Sequence, residues 1–273
     1  MAINLATKYS PKVAEKFYQK SLIAGRSSKD YSWDGVKSVQ VQTIVTVAPG
    51  DYSRTGTSRY GTPTEVQDTQ QIMPVNRDRS VSLTIDKGNN TEQMQIKAAG
   101  KVLAAELNEQ FIPEADMWAF SKWIEGAGTV ATDGTLTKSN IVEKIHAARV
   151  AMFNAHVPMM NNTLYIPASN QMMVCLSPEF VNLERLGTHA LEEGAIGKIA
   201  SFEVVPVPDH YFPEGVNFLV CHKNSVLAPF KLEDALIKQD PPGISGHLVE
   251  VRYIYDAFVL EAKNKGVYVS KKA

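Results

Sequence analysis

Hydrophobic and polar positions alternate along two early stretches of the chain. Val39, Val41, Thr43, Val45 and Val47 interleave with mostly polar neighbours, the period-two pattern of a half-buried strand. Val81, Leu83 and Ile85 repeat that pattern over residues 80–86. Residues 48–76, between them, are rich in Gly, Ser, Thr, Asp, Gln and Pro. A connection of that length is rare inside a compact domain and is usually functional or mobile. The two strands and their polar tip predict an extended hairpin projecting from the body. Tyr52, Tyr60, Val66, Ile72 and Met73 give it apolar surface to bury. Arg54, Arg59 and Tyr60 in the tip are candidates for contact with another subunit.

Elsewhere the apolar period is helical. Ser10-Pro11 is a helix start, since serine caps and proline suits the first helical position. Lys12, Lys16 and Lys20 then line one side of that helix, and Val13, Ala14, Phe17 and Tyr18 the other. The helix should stop by Gly25. It has no sequence neighbour to cover Val13 and Phe17, so it reads as an arm that docks elsewhere. A longer helix, capped by Asn90 or Thr91, is expected to run to about Ile112, where Pro113 disfavours continuation. Its apolar row of Met94, Ala98, Val102 and Ala105 is widened by Ala99, Leu103, Leu107 and Phe111, so it should pack on more than one side. Pro113 opens a second helix with Met117, Phe120 and Ile124 at helical spacing, ending at Gly126. Residues 126–137 read as a connector and a domain boundary.

Ser139 is expected to cap a third helix to about Ala155, with Ile141, Ile145, Ala148 and Met152 as its inner stripe. Short strands follow at 163–166, 202–207, 216–220 and 226–228, with a short helix at 170–176. A long strand-like run at 248–260 comes after Pro241-Pro242-Gly243, and a last strand at 267–269. Helices and strands mix without regular βαβ alternation, so the fold class is α+β.

Composition changes this picture in two ways. With 28 Lys+Arg against 29 Asp+Glu, the net charge of −1 argues against a dedicated nucleic-acid binder, which needs a cationic surface. The first thirty residues are the local exception, holding six basic and two acidic side chains. No apolar run approaches the length needed to cross a membrane, and the charged N-terminus lacks the core of a signal peptide. Both point to a chain made and kept in a cytosol. Cys175 and Cys221 then read as buried reduced thiols, and the Asn-Asn-Thr sequons at Asn89 and Asn161 carry no meaning.

Candidate chemistry is sparse. The chain has no phosphate loop, no dinucleotide fingerprint, no G-x-S-x-G elbow and no H-E-x-x-H. Gly126-Ala127-Gly128 follows a helix and serves better as its stop. Cys221-His222 with Cys175 could ligate zinc, but tetrahedral sites usually show paired ligands at short spacing. Glu192-Glu193, as neighbours, diverge too much to form an acid–base pair, and Glu65 with Asp68 reads as surface charge. No catalytic residue, cofactor site or metal site is assigned, and the expectation is a protein that is not an enzyme.

Four stretches carry a resemblance. Phe111-Ile112-Pro113-Glu114-Ala115-Asp116 resembles a junction at the end of the long helix in the major capsid proteins of tailed bacteriophages with the Hong Kong 97-type fold. The passage from His156-Val157-Pro158 to Leu164-Tyr165-Ile166-Pro167 is similar to that family's entry into its axial domain. Glu193-Gly194-Ala195-Ile196-Gly197-Lys198-Ile199 with Phe202-Glu203-Val204-Val205 resembles its glycine turn before a central strand. Tyr255-Asp256-Ala257-Phe258-Val259-Leu260, followed by Lys263 to Val269, is similar to its closing strand and tail. The likeness spans essentially the whole chain.

The resemblance implies an N-terminal arm at 1–38, an extended loop at 39–87, a peripheral domain at 88–137 plus 247–273, and an axial domain at 138–246. It implies self-assembly as hexamers and pentamers into an icosahedral shell around double-stranded DNA, held through weak non-specific contacts. The arm is short where some relatives carry a cleaved scaffolding segment, which implies a separate scaffolding protein, with a portal as further partner. The protein would be located in the virion, after assembly in the host bacterial cytoplasm. The covalent crosslinks of the type member have no alignable residues here. A shell subunit needs several weak interfaces that gain strength by number, and long arms and loops supply them. Two alternatives come from other classes. One is an encapsulin-like nanocompartment, which shares the fold and encloses enzymes. The other is a small cytosolic enzyme with no local motif, which predicts a small oligomer with a concave, electrostatically perturbed pocket.

Overall fold

The computed structural model describes residues 20–33, 37–87, 99–177, 198–243 and 245–272. The helix expected from Ser10 therefore lies outside the described residues, as do Met94, Ala98, Glu192 and Glu193.

The largest element is a six-stranded sheet in the order β4-β13-β8-β5-β7-β6. Its strands are β4 (Thr129–Thr132), β5 (Asn162–Pro167), β6 (Lys198–Ile199), β7 (Phe202–Val207), β8 (Val216–His222) and β13 (Val267–Lys271). β5 and β8 are buried at every position, because a sheet covered on both faces has no solvent side to which polar residues could turn. Tyr165, Leu219, Cys221, Val267 and Val269 join one core with Ala119, Phe120, Trp123 and Ile124. Their sequence neighbours Leu164, Ile166, Phe218, Val220 and Tyr268 join the other, with Ile141, Ile145, Ala148 and Met152. The expected inner stripe of the third helix is thus the cover of that second face.

The covering helices explain a difference from the sequence reading. The helical path that begins with α1 (Ala99–Glu106) does not break ahead of Pro113. A π-helical turn at Leu107–Phe111 carries the chain straight into α2 (Ile112–Glu125), and the residues at both joins keep helical angles. Proline in a regular helix lacks the amide hydrogen and strikes the carbonyl four residues back. The widened turn, closed by Ile112 N–H to the Leu107 carbonyl, accommodates this. It also adds a residue and so rotates the apolar face. Val102, Leu103, Leu107 and Phe111 pack on a second sheet, whereas Phe120 and Trp123 pack on the first.

That second sheet has the order β10-β11-β3, from β3 (Arg77–Asp86), β10 (Phe230–Gln239) and β11 (Gly246–Tyr255). β10 escaped the sequence reading because Lys231, Glu233, Asp234 and Lys238 mask its alternation and a register shift falls between Leu232 and Asp234. Charge and a bulge are what an edge strand uses to discourage further pairing.

The projecting hairpin is present, but its return strand differs from expectation. β1 (Ser38–Ile44) pairs antiparallel with β2 (Asp68–Pro74), and the expected partner 80–86 lies in β3, which pairs with β11. Glutamines and Thr69 had hidden β2 as a strand. Asn140, not the expected Ser139, holds the N-cap position of α3 (Ile141–Asn154), and α4 (Ala168–Cys175) leads out of β5. The connector after α2 contains β4, and Gly128 there lies so near Asn264 that a Cβ would meet its backbone at about 2.5 Å. The sheet takes β4 and β13 from one side of the expected 137 and 247 boundaries and its other strands from between them.

Candidate assembly surfaces

Residues 20–33 form a strap that lies on the chain's own body. Ser21 Oγ donates to Asp116 Oδ1 at 2.8 Å, and the Leu22 amide donates to Oδ2 at 2.7 Å. Ile23 enters the core beside Phe120 and Trp123. Arg26 pairs with Glu203, and its guanidinium also reaches the Leu22 carbonyl. The Ser28 amide donates to the Val226 carbonyl at 2.9 Å, in the short strand β9 (Val226–Leu227) that pairs with β12 (Phe258–Val259). Trp33 Nε1 donates to the Met73 carbonyl at 3.1 Å, and its ring stacks on Phe258. So this part of the arm docks on its own subunit. Val13, Phe17, Lys12 and Lys16 are outside the described residues; Lys20 is exposed at the strap's start.

Asp116 was not singled out by the sequence reading, although a signal existed. It is a carboxylate in line with Phe120 and Trp123 on the buried face of α2. It is 2% exposed, and burial pushes its pKa up to about 6 against the opposing pull of the Leu22 and Ser21 hydrogen bonds. Asp256 has a comparable role near the hairpin, accepting from Trp118 Nε1 and from the amides of Asn76 and Ala257.

The hairpin divides into an anchored root and a free outer part. At the root, Met73 is fully buried with Val75, Trp33 and Leu227, and Val39, Val41 and Phe258 pack against them. Gln71 clamps the root from both ends of its amide. Its Nε2 donates to the Val259 carbonyl, and its Oε1 accepts from the Glu261 amide. Beyond the root, residues 44–70 are all exposed. Ile44 and Val47 are each 69% exposed, Val66 68% and Tyr60 92%. The tip keeps a local shape through Ser53 N–H to the Arg59 carbonyl, Arg59 Nε to the Gly56 carbonyl, and an edge-on contact of Tyr60 with Tyr52. Arg54, Arg59 and Tyr60 are therefore brought together in one loop. Further exposed apolar side chains that the sequence does not single out are Val150, Phe153, Met160, Met172 and Leu176.

The groups with possible chemistry stay apart. Cys221 is buried, which pushes its thiol pKa well up, whereas Cys175 is exposed near the end of α4, contrary to the expectation of two buried thiols. Burial and Lys263 lower the pKa of His222. No three histidine, cysteine or acidic side chains converge as a metal site among the described residues. No helix of the described residues is long and apolar enough to cross a membrane.

No protein-family model and no curated protein matches the sequence. Solved structures do match along nearly its whole length. The capsid of cyanophage P-SCSP1u superposes with a TM-score of 0.79 at 12% identity, covering 99% of this chain and 93% of that one. The mature capsid of bacteriophage PhiM1 gives 0.70 at 14% identity, with 99% and 92% covered. The capsid of the Myoviridae phage XM1 gives 0.69 at 12% identity, with 100% and 99% covered. The chain has the Hong Kong 97-type α+β fold of these capsid structures.

Proposed function

We propose that this chain is the major capsid protein of a tailed bacteriophage, assembling with copies of itself into an icosahedral shell of hexamers and pentamers. The observation that carries the reading is the outer hairpin. On a chain with a phage-capsid fold, a long antiparallel element presents Ile44, Val47, Tyr60 and Val66 to solvent, with nothing among the described residues of its own subunit to cover them. Apolar surface of that extent marks an interaction site. The residues that make the contacts are Arg54, Arg59 and Tyr60 of the tip and Val13, Phe17, Lys12, Lys16 and Lys20 of the arm. Within the arm at 1–38 and the loop at 39–87, the parts outside the strap and β3 bridge subunits; the segments 88–137 and 247–273 form the peripheral domain, and 138–246 the axial domain. A scaffolding protein and a portal are the partners in the host cytoplasm. Packaged double-stranded DNA touches the wall only through weak, salt-sensitive contacts.

Negative-stain microscopy of the purified chain, with and without its scaffolding protein, tests the reading. Closed shells or ring-shaped capsomers are expected. A strict monomer by light scattering under both conditions sinks it, and shells that co-purify with a protein cargo turn it towards a nanocompartment. Val13→Asp with Phe17→Asp should leave the subunit folded and abolish shells. Normal shells from that double variant would remove the arm from the contact set.

A further inference from the structure

The strap crosses three separately packed parts of the molecule in one short run. It is bonded to α2 through Asp116, to β9 through Ser28 and to the hairpin root through Trp33. Between those points it is poorly seated. Ile23, Ser27, Ser28 and Trp33 are buried, but Ala24, Gly25, Lys29 and Asp30 are exposed. A cleft of about 340 Å³ remains beside the strap, walled by Ala24 and Lys29 on one side and by Ile112, Ala115 and Phe230 on the other. Its apolar anchors are only Ile23 and Trp33, and an element so held, with polar contacts over an unfilled cleft, belongs to the part of a fold that opens early.

We propose that residues 21–33 are a latch, with the Asp116 carboxylate as its catch, and that engagement of Ser21 and Leu22 there stiffens the root of the hairpin through Trp33. Both Asp116 oxygens are taken by the strap, so lifting Ser21 and Leu22 removes both contacts together and the latch has two discrete positions. At the other end, Trp33 covers Met73, which sits opposite Val39 in the β1–β2 ladder. A strap released at Asp116 takes with it the donor that holds the Met73 carbonyl. The latch is a property of the single subunit. Only its use, setting how firmly the hairpin is presented to a neighbour, rests on the capsid reading.

Hydrogen exchange followed by mass spectrometry on the full-length unassembled subunit tests this without any shell. Ser21→Ala removes the hydroxyl donor, and Leu22→Pro removes the amide donor. Either should accelerate exchange over 21–33 by roughly tenfold, the scale of one lost hydrogen bond to a charged group. The root, 69–76, should quicken about threefold or more in the same variants, while 216–222 in the central sheet stays unchanged. Trp33→Phe keeps an aromatic ring against Phe258 and loses the hydrogen bond to the Met73 carbonyl; because coupling is reciprocal, it should also loosen the Leu22 end. A strap that loosens while the root keeps its wild-type rate overturns the coupling. An unchanged strap in both the Ser21 and Leu22 variants shows that Asp116 is not the catch.

Discussion

The six-stranded sheet and the hairpin are both built from strands whose side chains step from one face to the other, yet those faces end in opposite places. In β5 and β8 each step of the pleat meets a helix-backed core, α2 on one face and α3 on the other, so the strands are buried throughout. In β1 the inner positions Val39 and Val41 meet the root cluster, and the outer positions meet water. Beyond Ile44 even the inner side has no cover. Alternation thus sets which side chains share a face, but only a partner makes that face a core. The sheet finds its partners within the chain, and the outer hairpin finds none among the described residues.

The largest expected effect is on the sheet side. Trp123 and Phe120 are fully buried, and Trp123 Nε1 donates to the Leu227 carbonyl. Trp123→Ala should cost about 3–5 kcal/mol of unfolding free energy, through lost burial and a residual cavity. Urea denaturation of the unassembled subunit measures it. A loss below about 1 kcal/mol would mean that the sheet is no better anchored than the hairpin, and the contrast would fail.

Next in size is a pH effect at the strap. Asp116 faces the Ser21 hydroxyl and Leu22 amide, the Tyr165 and Tyr211 hydroxyls respond to its charge, and the Arg26–Glu203 pair lies near Tyr165. Its pKa of about 6 in the folded chain is raised from an ordinary 3.8. The folded state therefore binds this proton more tightly than the unfolded one. The associated stability is fully present below the ordinary value and is lost as pH rises through about 6, with a span of up to roughly 3 kcal/mol. The melting temperature of wild type, compared with Asp116→Asn at each pH, should rise as pH falls from 7 to 4. A difference that stays flat over that range would contradict the burial of a charged carboxylate under the strap.

How far the sequence foretold all this follows the same contrast. The stripe of α3 and the strands β5, β7 and β8 were legible because partners on both faces demand apolar residues at nearly every position. The existence of a projecting hairpin was legible from the polar run before Val81, but its pairing was not. β2 is written as Asp-Thr-Gln-Gln-Ile-Met-Pro, and its inward Gln71 is bound through amide hydrogen bonds that leave no hydropathy signal. Pro113 does open α2 as its type predicts, but the break expected ahead of it does not occur, because the π turn at Leu107–Phe111 keeps the chain helical up to the proline. The tip residues Arg54, Arg59 and Tyr60 could be chosen from exposure and type. Asp116 and Trp33, which fix the strap, depend on contacts with residues far away in the chain.

A smaller effect should come from the root clamp. Gln71→Ala removes one donor and one acceptor whose partners, the Val259 carbonyl and the Glu261 amide, lie beside a partly exposed position. Water can replace part of what is lost, so the expected cost is about 1 kcal/mol, at the lower end for a polar deletion. Hydrogen exchange at 69–76 should quicken more than at 38–41 because the clamp is on β2. Equal acceleration of the two strands would mean that the hairpin opens only as one unit, and the division into root and outer part would need to be redrawn.

The smallest effect on the subunit itself is expected at the tip, and it sharpens the comparison most. Tyr60 is 92% exposed, and its ring meets the exposed Tyr52 edge-on. Tyr60→Ala should therefore change unfolding free energy by no more than about 0.5 kcal/mol, as surface substitutions generally do. The same truncation in an interface can cost 2 kcal/mol or more where an aromatic anchor is desolvated. Tyr60→Ala should accordingly leave the melting temperature alone and raise the concentration needed for shell assembly by tenfold or more. Trypsin offers an independent view of the same loop. Arg54 and Arg59 sit in exposed backbone and should be cut quickly in the free subunit and far more slowly in shells. Equal cleavage rates in both states, together with normal assembly of Tyr60→Ala, would leave the outer hairpin exposed in the shell as well, and the missing partner of its apolar side chains would then have to be something other than a second copy of this chain.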